Sequence, residues 1–308
     1  MFTKIILAGG SGYLGKVLAD YYKDKAKEIV IFSRSEADTG RPGCRIVKWD
    51  AESRGGWEAE LDNADMVINL CGKNVNCRYT AKNRAEIFRS RLVPTTLLGE
   101  AIAGASRPPK LWINIASATV YRHAEDRLQD EETGEVGSGF SVDVCTAWEE
   151  NFWKTETPQT QKLVLRVGLV LGRADGVFPR LKRLVATGLG GHQGTGNQLV
   201  SWIHEQDFAR VTEWVFGQQK RADVYNCTAP GAVSNRKLMQ LIRQTYGIPV
   251  GLPTPQWMLE IGAKLIGTET ELVLKSRWVY PRRLLGEGFT FSFPEAEHAI
   301  HEIMSTRT

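Results

Sequence analysis

The chain has 308 residues, 42% of them hydrophobic and 9% aromatic, enough apolar side chain to fill one large domain or two ordinary ones. No apolar run reaches the roughly 18 residues of a membrane span, and Met1-Phe2-Thr3-Lys4 leads straight into a strand pattern. A membrane helix and a signal peptide are therefore not expected, the cytoplasm is the expected location, and a net charge of +4 is too mild to point to a polyanionic partner.

Short runs rich in Val and Ile alternate with helical patterns through the first 170 or so residues. The strands expected are Ile5 to Ala8, Ile29 to Phe32, Arg45 to Trp49, Met66 to Leu70, Leu111 to Ile115 and Leu163 to Leu171. All are near-continuously hydrophobic, as strands covered on both faces are. Leu14, Val17, Leu18 and Tyr21 repeat at helical spacing, and Leu92, Thr96, Leu97 and Ile102 mark a longer helix ending near Gly104. The alternation predicts right-handed βαβ units and an α/β fold, a doubly wound parallel sheet of the Rossmann type.

Past Gly172 the regularity changes to a Gly-rich stretch, Gly188 to Gly196, then a strand at Val200 to His204 and a helix opening at Asp207. A strand at Val224 to Cys227, a helix capped by Ser234 and a last helix entered at Pro294 follow. The organisation predicted is a nucleotide-binding domain over 1–172, to which elements around 200–230 return. A smaller α+β lid or substrate region would span 173–308, with a small C-terminal domain at about 253–308. There is no internal repeat. Five cysteines with no C-x-x-C pair read as reduced thiols, and no metal site is expected.

The segment Ala8-Gly9-Gly10-Ser11-Gly12-Tyr13-Leu14-Gly15 follows the first strand and opens the first helix. Such a turn gathers free backbone N–H groups and the positive end of the helix dipole at one point, which attracts phosphate. Gly9 and Gly12, or Gly10 and Gly12, together with Gly15, satisfy the dinucleotide-binding spacing: Gly12 exposes bare backbone and Gly15 lets the helix pack close. The second strand ends on Ser33-Arg34, where an acid would otherwise hold the adenosine ribose. Arg34 suits a 2′-phosphate and Ser33 adds a hydrogen bond, so NADP(H) is expected over NAD(H). Asp50 is expected near the adenine, and Leu70, Cys71 and Gly72 beside the cofactor at the switch point of the sheet.

On these residues the chain resembles the extended short-chain dehydrogenases/reductases, in particular the atypical epimerase-family branch with a small extra C-terminal domain. The likeness covers essentially the whole chain. It rests further on Asn69-Leu70-Cys71-Gly72, on Glu86 with Ser90-Arg91-Leu92, and on Arg166-x-Gly168-x-Val170-Leu171-Gly172. Trp202-Ile203-His204-x-x-Asp207 and Pro281-Arg282-Arg283 complete it. The resemblance implies that Glu86 and Arg91 reach the cofactor and that Val170 lies near the nicotinamide. Lys73, Arg78, Lys82, Arg84, Arg89 and Arg91 form a basic run, but helical spacing spreads it around a helix, which reads as a solvated or subunit-contact face. No nucleic-acid partner is expected, and a homodimer stays open.

Chemistry in this superfamily uses a tyrosine, a lysine four residues later, and a serine after the fifth strand. Ser117-Ala118-Thr119-Val120-Tyr121 matches the serine segment, but the tyrosine and lysine positions fall on Ser141 and Cys145. Substitute candidates are Ser117, Tyr121 and His204. Two readings follow: an NADP(H)-dependent oxidoreductase or epimerase acting on a small polar, sugar-like molecule, or a weak or inactive NADP(H)-binding regulatory or redox-sensing protein.

Overall fold

In the computed structural model, which describes residues 1–36, 40–266 and 269–305, strands and helices alternate from the first residues. The chain forms β1 (Phe2–Ala8), α1 (Tyr13–Tyr22), β2 (Ala26–Ser33), β3 (Cys44–Lys48), β4 (Met66–Asn69), α2 (Ala81–Gly104), β5 (Leu111–Ser117), α3 (Phe140–Lys154) and β6 (Gln161–Val167). Then come β7 (Leu169–Leu171), α4 (Phe178–Ala186), β8 (Leu199–Val200), β9 (Trp202–His204), α5 (Glu205–Gly217), β10 (Val224–Cys227), β11 (Val233–Ser234) and α6 (Asn235–Thr245). The C-terminal part adds α7 (Gln256–Ile266), α8 (Glu271–Leu274), α9 (Arg282–Gly286) and α10 (Ala296–Ser305).

Seven strands make one parallel sheet in the order β10-β6-β5-β4-β1-β2-β3. The chain moves outward from β1 to β3, then restarts at β4 on the other side of β1. The carboxyl ends of β1 and β4 therefore flank a crevice where two crossovers diverge, the place where open α/β sheets bind ligands. Alternation along β1 shows why both faces are covered. Ile5 and Leu7 pack with Leu18, Tyr22, Phe208 and Val215 of α1 and α5. Ile6 and Ala8 pack with Leu98, Ile102 and Phe152 of α2 and α3.

Two expected strands are each cut in two. The run Leu163 to Leu171 breaks at Gly168, where a Cβ would lie 2.8 Å from the Ser201 carbonyl oxygen. Only β6 stays in the main sheet; β7 pairs with β9 in a separate two-stranded ribbon. Ser201 divides β8 from β9 where the chain changes partner, β8 pairing antiparallel with β11 and β9 parallel with β7; its hydroxyl donates to the Arg277 carbonyl at 2.7 Å. The expected returning strand is found as β10, at the edge beside β6. Beyond it, Leu171, Phe178, Val185, Trp202, Leu238, Ile242 and Ile300 form a second core, made by α4, α6 and α10.

His204 sits at the junction of these cores, 1% exposed, and its ring lies 3.9 Å from that of Phe293. Its Nδ1 accepts from the Gln206 N–H at 3.2 Å and so caps α5, which leaves the proton on Nε2, 3.0 Å from Glu302 Oε2. Burial holds the imidazole below its ordinary range, and Glu302 offsets part of that. A lowered folded-state pKa means that the unfolded chain takes up the proton first, so this stability is present above about pH 6.5 and lost as pH falls through the folded value. Urea unfolding at pH 7.5 and pH 5.5 should show that loss in the wild type. His204→Asn, which keeps a capping acceptor but cannot titrate, should lose less; equal losses would contradict the assignment.

Candidate functional site

The glycine turn sits at the mouth of the switch-point crevice. Gly9 has φ +73°, a conformation that favours glycine, and a Cβ there would lie 2.9 Å from Cys71 Sγ. A Cβ on Gly15 would lie 2.0 Å from the Gly10 carbonyl oxygen, so the helix closes on its own turn only without a side chain. Around Gly12 there is open space. Gly12 caps α1 with no side-chain acceptor, and the first turn holds no acidic residue. The N–H groups of this turn are thus left to an external anion. Tyr13 leans away from the turn and donates to Glu205 Oε2 at 2.7 Å, tying α1 to the start of α5. Leu14 and Tyr13 pack on the core that contains Val170.

At the end of β2, Ser33 is buried and its hydroxyl accepts from the Ser35 N–H at 3.2 Å. Arg34 is exposed and forms no ion pair with any described residue. Its charge nevertheless reaches Cys71, whose thiol burial pushes up to about 12 while Arg34 pulls it down in part. Arg34 follows β2 and Cys71 follows β4, the two strands that flank β1 in the sheet. Asp50 does not point freely into the crevice. Its carboxylate accepts from the N–H groups of Glu52 and Ser53 at 2.8 and 2.9 Å and from the Ser53 hydroxyl at 2.5 Å, which closes its own turn.

After β4, Asn69 ties the strand end to its neighbours, donating to Thr95 Oγ1 at 2.9 Å and Asn114 Oδ1 at 2.8 Å and accepting from the Cys71 N–H at 3.1 Å. Sequence reasoning missed this network, although an Asn within an apolar strand was its visible signal. Glu86 and Arg91 do not pair with each other. Glu86 bonds Lys73, and Arg91 Nη1 donates to the carbonyls of Lys73 and Ile87 at 3.2 and 3.1 Å. Arg91 lies over the Trp148 ring at 5.1 Å and against Gly72, so its guanidinium borders the crevice and has no carboxylate partner among the described residues.

Ser117 ends β5 at the same edge of the sheet. Its hydroxyl is 2.9 Å from Thr119 Oγ1 and accepts from the Thr119 N–H at 3.2 Å. Tyr121, a candidate proton donor from the sequence, is 1% exposed. Its hydroxyl donates to Asn226 Oδ1 at 3.0 Å and accepts from Arg166 Nη1 at 2.9 Å, and Arg166 is clamped by both oxygens of Glu149. That phenol belongs to a buried network holding β10 to β6. His204 is likewise committed on both ring nitrogens. Neither is brought to the crevice. On α3, Ser141 and Cys145 lie one turn apart, both buried; the Ser141 hydroxyl faces Tyr79 but meets no partner at full hydrogen-bond geometry among the described residues, and burial pushes the Cys145 thiol up to about 12. Among the described residues no group of His, Cys, Asp and Glu could hold a metal ion, and no helix is long and apolar enough to cross a membrane.

Comparison with known proteins agrees with this geometry. A domain of unknown function, DUF1731, matches residues 254–303. Epimerase family protein SDR39U1 of mouse is 28% identical over 98% of this chain and 100% of its own length. Epimerase family protein YfhF of Bacillus subtilis is 26% identical, covering 98% of each. The crystal structure of human epimerase family protein SDR39U1 (isoform 2) with NADPH superposes with a TM-score of 0.87 at 28% identity, over 99% of this chain and 100% of that one. With residues 5–228 matching the NAD dependent epimerase/dehydratase family, a switch-point crevice and a bare helix start, the chain belongs to that family.

Proposed function

We propose that the crevice binds NADP(H) and that the protein is an oxidoreductase or epimerase-like enzyme acting on a small polar, sugar-like molecule. One observation carries the reading: the uncapped start of α1 stands at the switch point with Arg34, which forms no ion pair with any described residue, on the neighbouring strand end. The NADPH recorded with the human relative supports it. The pyrophosphate would meet the backbone of Ser11 to Leu14, and the 2′-phosphate Ser33 and Arg34. Leu70, Cys71 and Gly72 would line the adenosine-ribose side, with Arg91 and Val170 toward the nicotinamide. Asp50 and Glu86 would approach the cofactor with carboxylates that also bond the 50–53 turn and Lys73.

When bound, the nicotinamide supplies or accepts a hydride. The chain's own part is orientation. Ser117 can turn its hydroxyl from Thr119 toward a carbonyl at the sheet edge. Proton transfer is where this chain departs from its superfamily: Ser141 is far too weak an acid, and Cys145 supplies no cation. Loss of acid–base assistance costs roughly 10² to 10⁴-fold, which slows hydride transfer without forbidding it.

The same departure supports a second reading, an NADP(H)-binding regulatory or redox-sensing protein. NADPH absorbance followed against a panel of aldehydes and ketones separates the two. Slow turnover that falls about tenfold or more in Ser117→Ala is the expected result. Tight cofactor binding with no turnover on any acceptor would replace the enzyme by the second reading.

A further inference from the structure

A cleft of about 370 Å³ opens beside the buried face of α3, lined by Tyr121, Arg122, His123, Val142, Lys275 and Arg277 among others. That volume suits a small molecule. Four of these side chains are basic, yet three are already occupied. Arg122 bonds Glu135 and both oxygens of Asp126. Lys275 bonds Glu271 at 2.5 Å, and His123 Nδ1 accepts from the Ser276 N–H at 3.1 Å.

Arg277 differs. Among the described residues its Nε is buried without a hydrogen bond, and the guanidinium's one hydrogen bond is from Nη1 to the Ser276 carbonyl at 3.4 Å. No described carboxylate forms an ion pair with it; Glu271, whose charge reaches it, is held by Lys275. Its backbone is fixed on both sides: Arg277 N–H donates to Leu199, and the Ser201 hydroxyl donates to Arg277's carbonyl. These bonds fix the backbone from which the guanidinium reaches the cleft, and burial pulls its pKa below the ordinary value. Burying a cation without a counter-charge is costly, and a protein normally pairs it. Val142 of α3 lines the cleft and the lining residue Tyr121 packs with Cys145, so the cleft adjoins the α3 face where the superfamily's reactive pair would stand.

We infer that this cleft binds an anionic group of the substrate, a carboxylate or a phosphate, with Arg277 as its anchor. The inference rests on the proposed NADP(H)-dependent reading for calling the ligand a substrate, but the anion site itself stands without it. Phosphates of the cofactor would lie at α1 and Arg34, so they do not supply this counter-charge.

The test uses the full chain, with and without saturating NADP⁺, in calorimetric titrations at ionic strength fixed by chloride. The probes are malonate, inorganic phosphate and neutral malonamide. Binding of malonate or phosphate to the wild type, none of malonamide, and binding at least about tenfold weaker in Arg277→Gln is the expected pattern. Which anion binds tells carboxylate from phosphate. Neither anion binding the wild type, or both binding Arg277→Gln as well as the wild type, overturns the inference. Should Arg277→Gln fail to fold, the wild-type titrations and Arg277→Lys, expected to retain binding, still decide. Absence of NADP⁺ binding would count against the cofactor reading alone, because the unloaded protein reports on the anion independently.

Discussion

Everything in the site depends on one electrostatic constraint: α1 begins with no acceptor of its own. An α-helix leaves its first N–H groups unpaired and carries about half a positive charge there. Here Gly12 provides no side-chain cap and the first turn has no acid. The glycines keep that end open and accessible, while parallel pairing of β1 with β2 and β4 sets it between two strand ends. An anion resolves the constraint, and Arg34 extends the positive field along the crevice.

Much of this was legible locally. Strand-turn-helix with Gly12 and Gly15 is a short-range pattern, and Ser33-Arg34 could be read from its distance along the chain. Continuous apolar runs gave the buried strands because side chains of both faces meet helices. What stayed hidden depends on distant partners. The break at Gly168 follows from the Ser201 carbonyl approaching it, and no local signal marks that. Tyr121 looked available because its partners, Arg166 and Asn226, lie 45 and 105 residues away in the chain. Asp50 is a different case, since Asp-x-x-Ser is a turn signature that competed with the adenine assignment. Arg277 carried no sequence signal at all: lacking a carboxylate ion pair among the described residues is a property of the folded chain.

The departure at Ser141 and Cys145 also has a structural counterpart. On the proposed reading, the cofactor crevice, Ser117 at the end of β5 and Arg277 beside α3 would serve binding and orientation, while Ser141 and Cys145 would not supply the proton-transfer pair. Binding, orientation and proton transfer are separable contributions to rate. That separation supports the proposed slow hydride chemistry, with a protein that reads the cofactor's occupancy as the second reading.

The central claim is that α1 and Arg34 together hold a 2′-phosphorylated dinucleotide. Calorimetric titration of ligand-stripped wild type and Arg34→Ala with NADPH and NADH tests it most directly. The account predicts tighter binding of NADPH, and a loss of about 1 to 2 kcal/mol for NADPH alone in the variant. No heat for either nucleotide in the wild type, or equal losses for both in Arg34→Ala, would contradict it.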